Sequence, residues 1–457
     1  MSTPQQLVEH ALERTTSPEC VVIVEASTSA NLRWANNTLT TNGVMHGLAV
    51  TVIAFRDGAT ASVGGTAASF EQVEALVEAA DAAVLHAEPA EDRNPLVTGG
   101  AATDWDAAPG DTSIDVYAGF ARVLGEEFER SEAEKRILYG FVNHEVVTTY
   151  LGSSTGLRLR HVQPTGHYAC TGKTSDLSTS AWVGGATRDF ADVDAHAMVA
   201  SLETRIGWAG RRVDLEAGRY DTILPPSAVA DLMIDAYWGA GARVAFEGQS
   251  VYSKRGGGTR IGERIVKPGV NLYSDPTYAG LGSGTFQVAS SSSNMSSVFD
   301  NGLPLARNDW FTDGVLTSLV QTRHSATMTG QPVTPGTDNL VLDVDGGTGS
   351  VDDLVAGVER GLLLTCLWYI REVDPQTMLL TGLTRDGVYL VENGEVTGAV
   401  NNFRFNESPI DLLRRFTHAS ATELSFSREW GDDYFSRTAT PALRVPDFNM
   451  SSVSQAL

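Results

Sequence analysis

Apolar residues take up a helical period almost at once. Leu7, Val8, Ala11 and Leu12 fall on one face. Thr3-Pro4-Gln5-Gln6 before them is a helix start, with Thr3 as N-cap, Pro4 as first helical residue and Gln6 closing a capping box. The pattern then changes to apolar runs without that period, which predict strands over 20–25, 32–36 and 48–55. Asp57-Gly58 predicts a hairpin turn into a strand over 59–63. Ser69-Phe70-Glu71-Gln72 is a second capping box, opening a helix with Val73, Leu76, Val77, Ala80 and Val84 on its inner face.

Residues 88–111, with Pro89, Pro95 and Pro109, have no period and read as a long surface connection. A helix over 116–134, strands over 137–151 and 157–162, and a helix over 193–204 follow. The main boundary is expected near 210–218, giving an N-terminal α+β domain (1–214) and a β-rich C-terminal domain (215–457). In the second half the pattern predicts a helix over 227–238 after Leu224-Pro225-Pro226. A helix capped by Ser350 ends near Gly361, and a buried strand covers 362–370. The clearest hairpin joins 388–392 to 395–400 through Asn393-Gly394, the pair that suits the positive φ of a type I′ turn. Helices and antiparallel strands in this order predict the α+β class.

The chain has 457 residues, enough for two or three cores, and its 45 glycines fit a turn-rich fold. A net charge of −23 argues against nucleic-acid binding, which requires an excess of Lys and Arg. Cys20, Cys170 and Cys366 are sparse and far apart, as expected of reduced thiols in the cytoplasm. The first residues lack a basic, apolar leader, and no apolar run is long enough for a membrane helix, so a soluble cytoplasmic protein is expected.

Candidate chemistry is thin. His144-Glu145 has Thr148 and Thr149 where a second metal-binding His one helical turn on would stand, and its β-branched surroundings favour a strand with a structural His. His161 and His167 can meet in space, but no Cys, Asp or Glu completes a set at ligand spacing. Gly152-Ser153-Ser154-Thr155-Gly156 matches the nucleophile-elbow pattern, yet strand-like residues follow it where a helix is needed, so it reads as a hairpin turn. The loop Lys254-Arg255-Gly256-Gly257-Gly258-Thr259-Arg260 lacks P-loop order and reads as a mobile basic loop, open to phosphate or to an acidic partner. The serines at 290–293, 296 and 297 read as a linker or irregular loop. Asp231 and Asp235, four apart on the 227–238 helix and opposite Val229, Leu232, Met233 and Ala236, read as a solvated face. Cys366 reads as a small hydrophobe inside an apolar strand.

The segment 224–252, with Gly239, Gly241 and then Gly248-Gln249-Ser250-Val251-Tyr252, resembles the segment on which the TldD/PmbA family (modulator of gyrase, peptidase U62) builds its zinc site. Further segments resemble the family in order and spacing. They are Arg33-Trp34-Ala35-Asn36-Asn37 with Gly47 and Asp57-Gly58, then Tyr220 to Pro226, Gly262-Glu263 and Ser274-Asp275-Pro276. Asp345-Gly346 to Gly361, Gly382, Gly387-Val388-Tyr389 and the Asn393-Gly394 hairpin to Phe405 complete the series.

The family's zinc-binding member, TldD, carries His-Glu-x-x-x-His where this chain has Met233-Ile234-Asp235-Ala236-Tyr237-Trp238. Met233, Ile234 and Trp238 stand for the two ligands and the general base, and none can hold zinc or take a proton from its water. The C-terminal cysteine ligand of TldD is expected near 402–407, where this chain has Asn-Phe-Arg-Phe-Asn-Glu. The resemblance therefore implies a zinc-less TldE/PmbA-type subunit. It would carry no cofactor itself and pair with a TldD-like chain that supplies zinc and cleaves peptides or unfolded segments. No residue qualifies as catalytic; Trp368, Arg371, Asn402 and Arg404 are candidates to face the shared cavity. Two alternatives stay open, a self-sufficient hydrolase using Ser154 or Cys366, and a non-enzymatic scaffold or binding homodimer.

Overall fold

The computed structural model of the chain describes residues 2–385, 387–431, 435 and 437–454. The first half is one antiparallel sheet of long strands. Helix α1 (Pro4–Arg14) leads into β1 (Glu19–Ala35), β2 (Thr38–Arg56) and β3 (Ala59–Thr66); after α2 (Phe70–Val84) and α3 (Ala118–Ala133) come β4 (Arg136–Ser153), β5 (Arg158–Thr174), β6 (Ser180–Thr187) and α4 (Ala195–Trp208). The order across the sheet is β3-β2-β1-β4-β5-β6.

The alternation of β1 explains the architecture. Its even positions point to the helices. Val22 and Val24 pack with Leu7, Val8, Val73 and Val77 of α1 and α2, while Ala30, Leu32 and Trp34 pack with Phe120, Leu124 and Met198 of α3 and α4. Its odd positions, Val21 and Ile23, pack on Leu96, Phe286 and Phe299. One strand thus supports two helix pairs end to end, which requires a length of about 55 Å at roughly 3.3 Å per residue. The separate strands expected at 20–25 and 32–36 are accordingly one continuous strand, and the strand expected at 157–162 continues to Thr174.

Both N-terminal capping signals act, with a difference. Thr3 and Gln6 bond reciprocally. Ser69 caps the N–H of Gln72, but the Gln72 side chain accepts from Ala68 instead of closing the box. The Asp57-Gly58 turn has φ of 53° and 82°, and Asn393-Gly394 has 54° and 81°, as type I′ turns demand.

The second half contributes, in chain order, β7 (Arg212–Val213), β8 (Gly218–Leu224), α5 (Pro226–Trp238), α6 (Ala242–Phe246), β9 (Val270–Ser274), β10 (Asn308–Thr312), β11 (Val315–Leu316), α7 (Arg323–Thr329), β12 (Leu340–Val344) and α8 (Val351–Ala356). It continues with β13 (Arg360–Leu364), β14 (Leu367–Asp374), β15 (Leu379–Thr384), β16 (Val388–Glu392), β17 (Glu395–Val400), β18 (Phe403–Glu407) and α9 (Pro409–Arg415), and closes with β19 (His418–Ala419), β20 (Glu423–Ser425), β21 (Thr438–Thr440) and β22 (Leu443–Val453). One sheet has the order β11-β10-β9-β12-β21-β20; the other runs β14-β15-β18-β22-β8-β13-β16-β17-β7, with β19 beside β22. The fold is α+β.

Two expectations are corrected here. The helix capped by Ser350 stops at Ala356, short of Gly361. The expected strand 362–370 is two strands, because the chain leaves the ladder at Thr365-Cys366. β13 pairs with β8 and β16, and β14 pairs with β15. Cys366 lies in that break, buried, and not inside a strand.

Candidate functional site

Helix α5 is the centre of the largest core cluster. Leu232, Met233, Ile234, Ala236 and Tyr237 pack with Val270, Leu272, Leu340 and Leu342 of one sheet and Leu362, Leu380, Phe405 and Phe448 of the other. A helix apolar on nearly every side is a core helix, not a surface one. Its end is locked by aromatic groups. Tyr252 Oη donates to the carbonyl of Ala236 (2.8 Å), and Tyr237 Oη donates to the Thr337 carbonyl (3.0 Å) while accepting from the Thr337 N–H (2.8 Å). Tyr237→Phe leaves that N–H buried and unpaired, so we expect a loss of roughly 1–2 kcal/mol in denaturant unfolding.

The carboxylates of α5 overturn the expectation of a solvated face. Asp231 is fully buried and Asp235 is largely covered. The cover is residues 427–430, nearly 200 positions later. Ser427 Oγ donates to Asp231 Oδ1 (2.6 Å), the Glu429 N–H donates to the same oxygen (3.0 Å), and Trp430 Nε1 donates to the Asp231 carbonyl (3.1 Å). Oδ2 of each aspartate is buried with no hydrogen-bond partner. Burial pushes both carboxyls up to about 7, and the negative charge of Glu429 adds to the effect at each.

Two of the sequence-predicted site residues meet beside this cluster. In β14 a register irregularity lies between Trp368 and Arg371, where Tyr369 has φ 51°. The Glu429 carboxylate takes the N–H groups of Tyr369 and Ile370 (3.1 Å each) and lies 3.4 Å from Arg371. The guanidinium of Arg428 stacks on Trp368 at 4.0 Å. Arg404 shares a cross-strand row with Leu383 and Trp368 and is exposed, whereas Asn402, half-buried, precedes β18. β18 pairs with β15 and β22, so the side chains that reach the polar face of α5 come from 427–430 and not from 402–407.

A cavity of about 720 Å³ lies elsewhere, and none of Trp368, Arg371, Asn402 and Arg404 lines it. Its walls are β6 with Arg188, the β5 residues from His161 to Tyr168, the loop 277–283, the first residues of α5, and β20 with Phe426 and Arg437. No local sequence signal marks it, because four distant segments build it.

The remaining candidates take structural roles. His144 is buried in β4, bonded to Thr112 Oγ1 (2.7 Å) and the Arg188 carbonyl (2.7 Å). His161 and His167 lie six apart on one strand, a separation of about 20 Å, so they do not meet. Ser154 sits in the β4–β5 turn, where its hydroxyl accepts the Cys20 N–H (3.0 Å). Cys20, Cys170 and Cys366 are buried and form no disulfide; burial pushes the Cys20 and Cys170 thiols up to about 12. The loop at 254–260 is irregular, with Gly256, Gly257 and Gly258 all at positive φ. The serine run is an irregular segment tied to the first half of the chain, with Ser292 and Ser297 both donating to Asp92 (2.6 Å).

Residues 217–452 match the family model described as the PmbA/TldA metallopeptidase C-terminal domain, and residues 20–87 match that of PmbA/TldA metallopeptidase domain 1. The chain belongs to the PmbA/TldD metallopeptidase family. Its fold is similar to the crystal structure of TldE from Thermococcus kodakarensis (16% identity, 97% of this chain and 98% of that one, TM-score 0.76). It is also similar to proteins described as modulators of DNA gyrase from Bacteroides thetaiotaomicron (15%, 98% and 98%, 0.76) and Thermotoga maritima (16%, 94% and 95%, 0.74). Comparison with curated proteins gives no match. Among the described residues no helix is long and apolar enough to cross a membrane.

A metallopeptidase family implies a metal, and the residues here do not fit one. α5 is an unbroken helix, so positions 233 and 238 stand about 140° apart around its axis at roughly 100° per residue. Met233 and Ile234 are 1% and 0% exposed, and Trp238 rests edge-on against Trp430 at 5.1 Å. Among the described residues no group of three or more His, Cys, Asp or Glu is arranged to hold a metal ion.

Proposed function

We propose that this PmbA/TldD chain is the non-catalytic, TldE-type subunit of a cytoplasmic two-chain protease. A TldD-like partner brings the zinc and cleaves extended peptides or unfolded segments; this chain forms part of the wall of the shared cavity and restricts entry to it. One observation carries the reading. Two of the three positions that resemble a zinc site, Met233 and Ile234, are core side chains in the cluster that packs on both sheets, and the third, Trp238, is an indole resting on Trp430. The likeness to TldE over nearly the whole chain supports the fold this role requires. The three buried, unbridged cysteines accord with a reducing compartment.

Co-expression with a TldD-like chain tests it, with zinc content and peptide cleavage measured for each chain alone and for the pair. This chain alone is expected to retain no zinc and cleave nothing, and to co-purify with the partner as an active complex. One zinc per copy in this chain alone would sink the proposal.

A further inference from the structure

The 720 Å³ cavity is flanked by two open strand edges. β6 ends the first sheet and β20 ends the second, and neither has a strand partner on its outer side among the described residues. An exposed edge offers a row of backbone N–H and C=O groups to an incoming extended segment. The volume lies within the roughly 300–1,000 Å³ of ligand pockets.

The charge around the cavity is unusual for so acidic a chain. Arg188, Arg205 and Arg437 line it, and none has a carboxylate within ion-pair distance among the described residues. Arg205 is held by the Trp182 carbonyl, and Arg437 by the Asp338 carbonyl (3.0 Å) and Thr165 Oγ1 (3.0 Å), which orients both without neutralising them. Burial holds both guanidiniums below their usual range, partly offset at Arg437 by the negative charge of Asp338. Pro225, Pro226 and Ser227 bring the amino end of α5 to the same space, and no side chain caps it; an uncapped helix start favours an anion. Two acids also line the cavity: Asp192, which accepts from the Thr187 hydroxyl, and Glu423, whose carboxyl burial raises; the three arginines outnumber them. An independent sign of a missing partner is Ser283, 3% exposed on the cavity wall, whose hydroxyl has no hydrogen-bond partner.

We propose that this cavity binds an extended acidic peptide segment, its backbone along the β6 and β20 edges and its carboxylates on Arg188, Arg205, Arg437 and the α5 amino end. The proposal deepens the wall reading by naming the class of substrate the wall admits.

The test is fluorescence-anisotropy titration of the full chain with a labelled Val-Glu-Val-Glu-Val peptide, its Gln-for-Glu analogue, and a version N-methylated at alternate backbone amides. The Glu peptide is expected to bind at least tenfold more tightly than the other two, and binding should weaken with salt. Arg188 is exposed and its side chain holds nothing in place, so Arg188→Glu should lower affinity at least tenfold without moving the melting temperature. Arg437→Gln, which can keep its carbonyl bond, should give a smaller loss. Equal binding of the Glu and Gln peptides, or an unchanged Arg188→Glu, overturns the carboxylate site. Equal binding of the N-methylated peptide, or displacement by free glutamate at the same affinity, overturns the extended-strand assignment. Because no partner is needed, failure here leaves the two-chain protease standing, and failure of the zinc and co-purification test leaves this site standing.

Discussion

At pH 8 an Asp231→Asn variant should melt several degrees above the parent chain, and at pH 4 the two should melt together. Asp231 is fully buried, and its carboxyl is raised from the ordinary 3.8 to about 7 by that burial. A folded-state value above the unfolded one means that the native chain binds the extra proton. The group's contribution is therefore fully present below about pH 4 and lost as pH rises through about 7. At 1.36 kcal/mol per pH unit the bound is about 4 kcal/mol. Asparagine keeps the oxygen that accepts from Ser427 and Glu429 and never ionises, so at pH 8 it is spared that loss. Half the bound is about 2 kcal/mol, which in domains of 150–250 residues moves the melting temperature by roughly 2–4 °C per kcal/mol. Asp235, raised likewise, leaves a residual slope in the variant. Thermal melts from pH 4 to 8 check this; a parent chain as stable at pH 8 as at pH 5 would show that Asp231 ionises without penalty.

This result concerns the part of the molecule least legible in the sequence. The spacing of Asp231 and Asp235 correctly puts them on one side of α5, opposite Val229. What that side faces depends on Ser427, Glu429 and Trp430, and no local pattern announces a contact across 196 residues. Hairpins and caps are the opposite case. Asn393-Gly394, Asp57-Gly58, Thr3 and Ser350 each act on neighbours within three residues, so their chemistry could be read directly. The strand lengths failed for a third reason. The distal part of β2, Thr38 to Gly47, is mostly exposed and polar, so it lacks the apolar alternation that reveals a strand and is held by its register with β1. β5 carries Pro164 and Gly166 inside its ladder, residues that normally read as breakers. The cavity between β6 and β20 combines these difficulties. Its arginines are scattered from 188 to 437, and only the arrangement of two sheets brings their edges to one space.

Restoring the zinc motif by Met233→His, Ile234→Glu and Trp238→His together should give no zinc site and a chain that no longer folds cooperatively. If only three side chains separated this chain from a zinc-binding one, the triple variant would bind metal. The surroundings of α5 are unsuited as well. Ile234 is 0% exposed within the largest hydrophobic cluster, so an ionised glutamate there would be buried among apolar side chains. Met233→His puts a polar ring into the same core, and each of these two changes costs several kcal/mol, a large part of a typical stability of about 5–15 kcal/mol. Trp238→His removes the contact with Trp430, whose backbone belongs to the segment covering Asp231. Even in a chain that tolerated all three, an unbroken α5 would hold the imidazoles about 140° apart around the helix, too far round to share one ion. Circular dichroism melts and zinc analysis of the purified variant check both halves. A folded variant carrying one tightly bound zinc would mean that α5 remains a zinc helix with its ligands removed. Loss of the fold would mean that the helix belongs to the core, where a metal ligand set has no room to form.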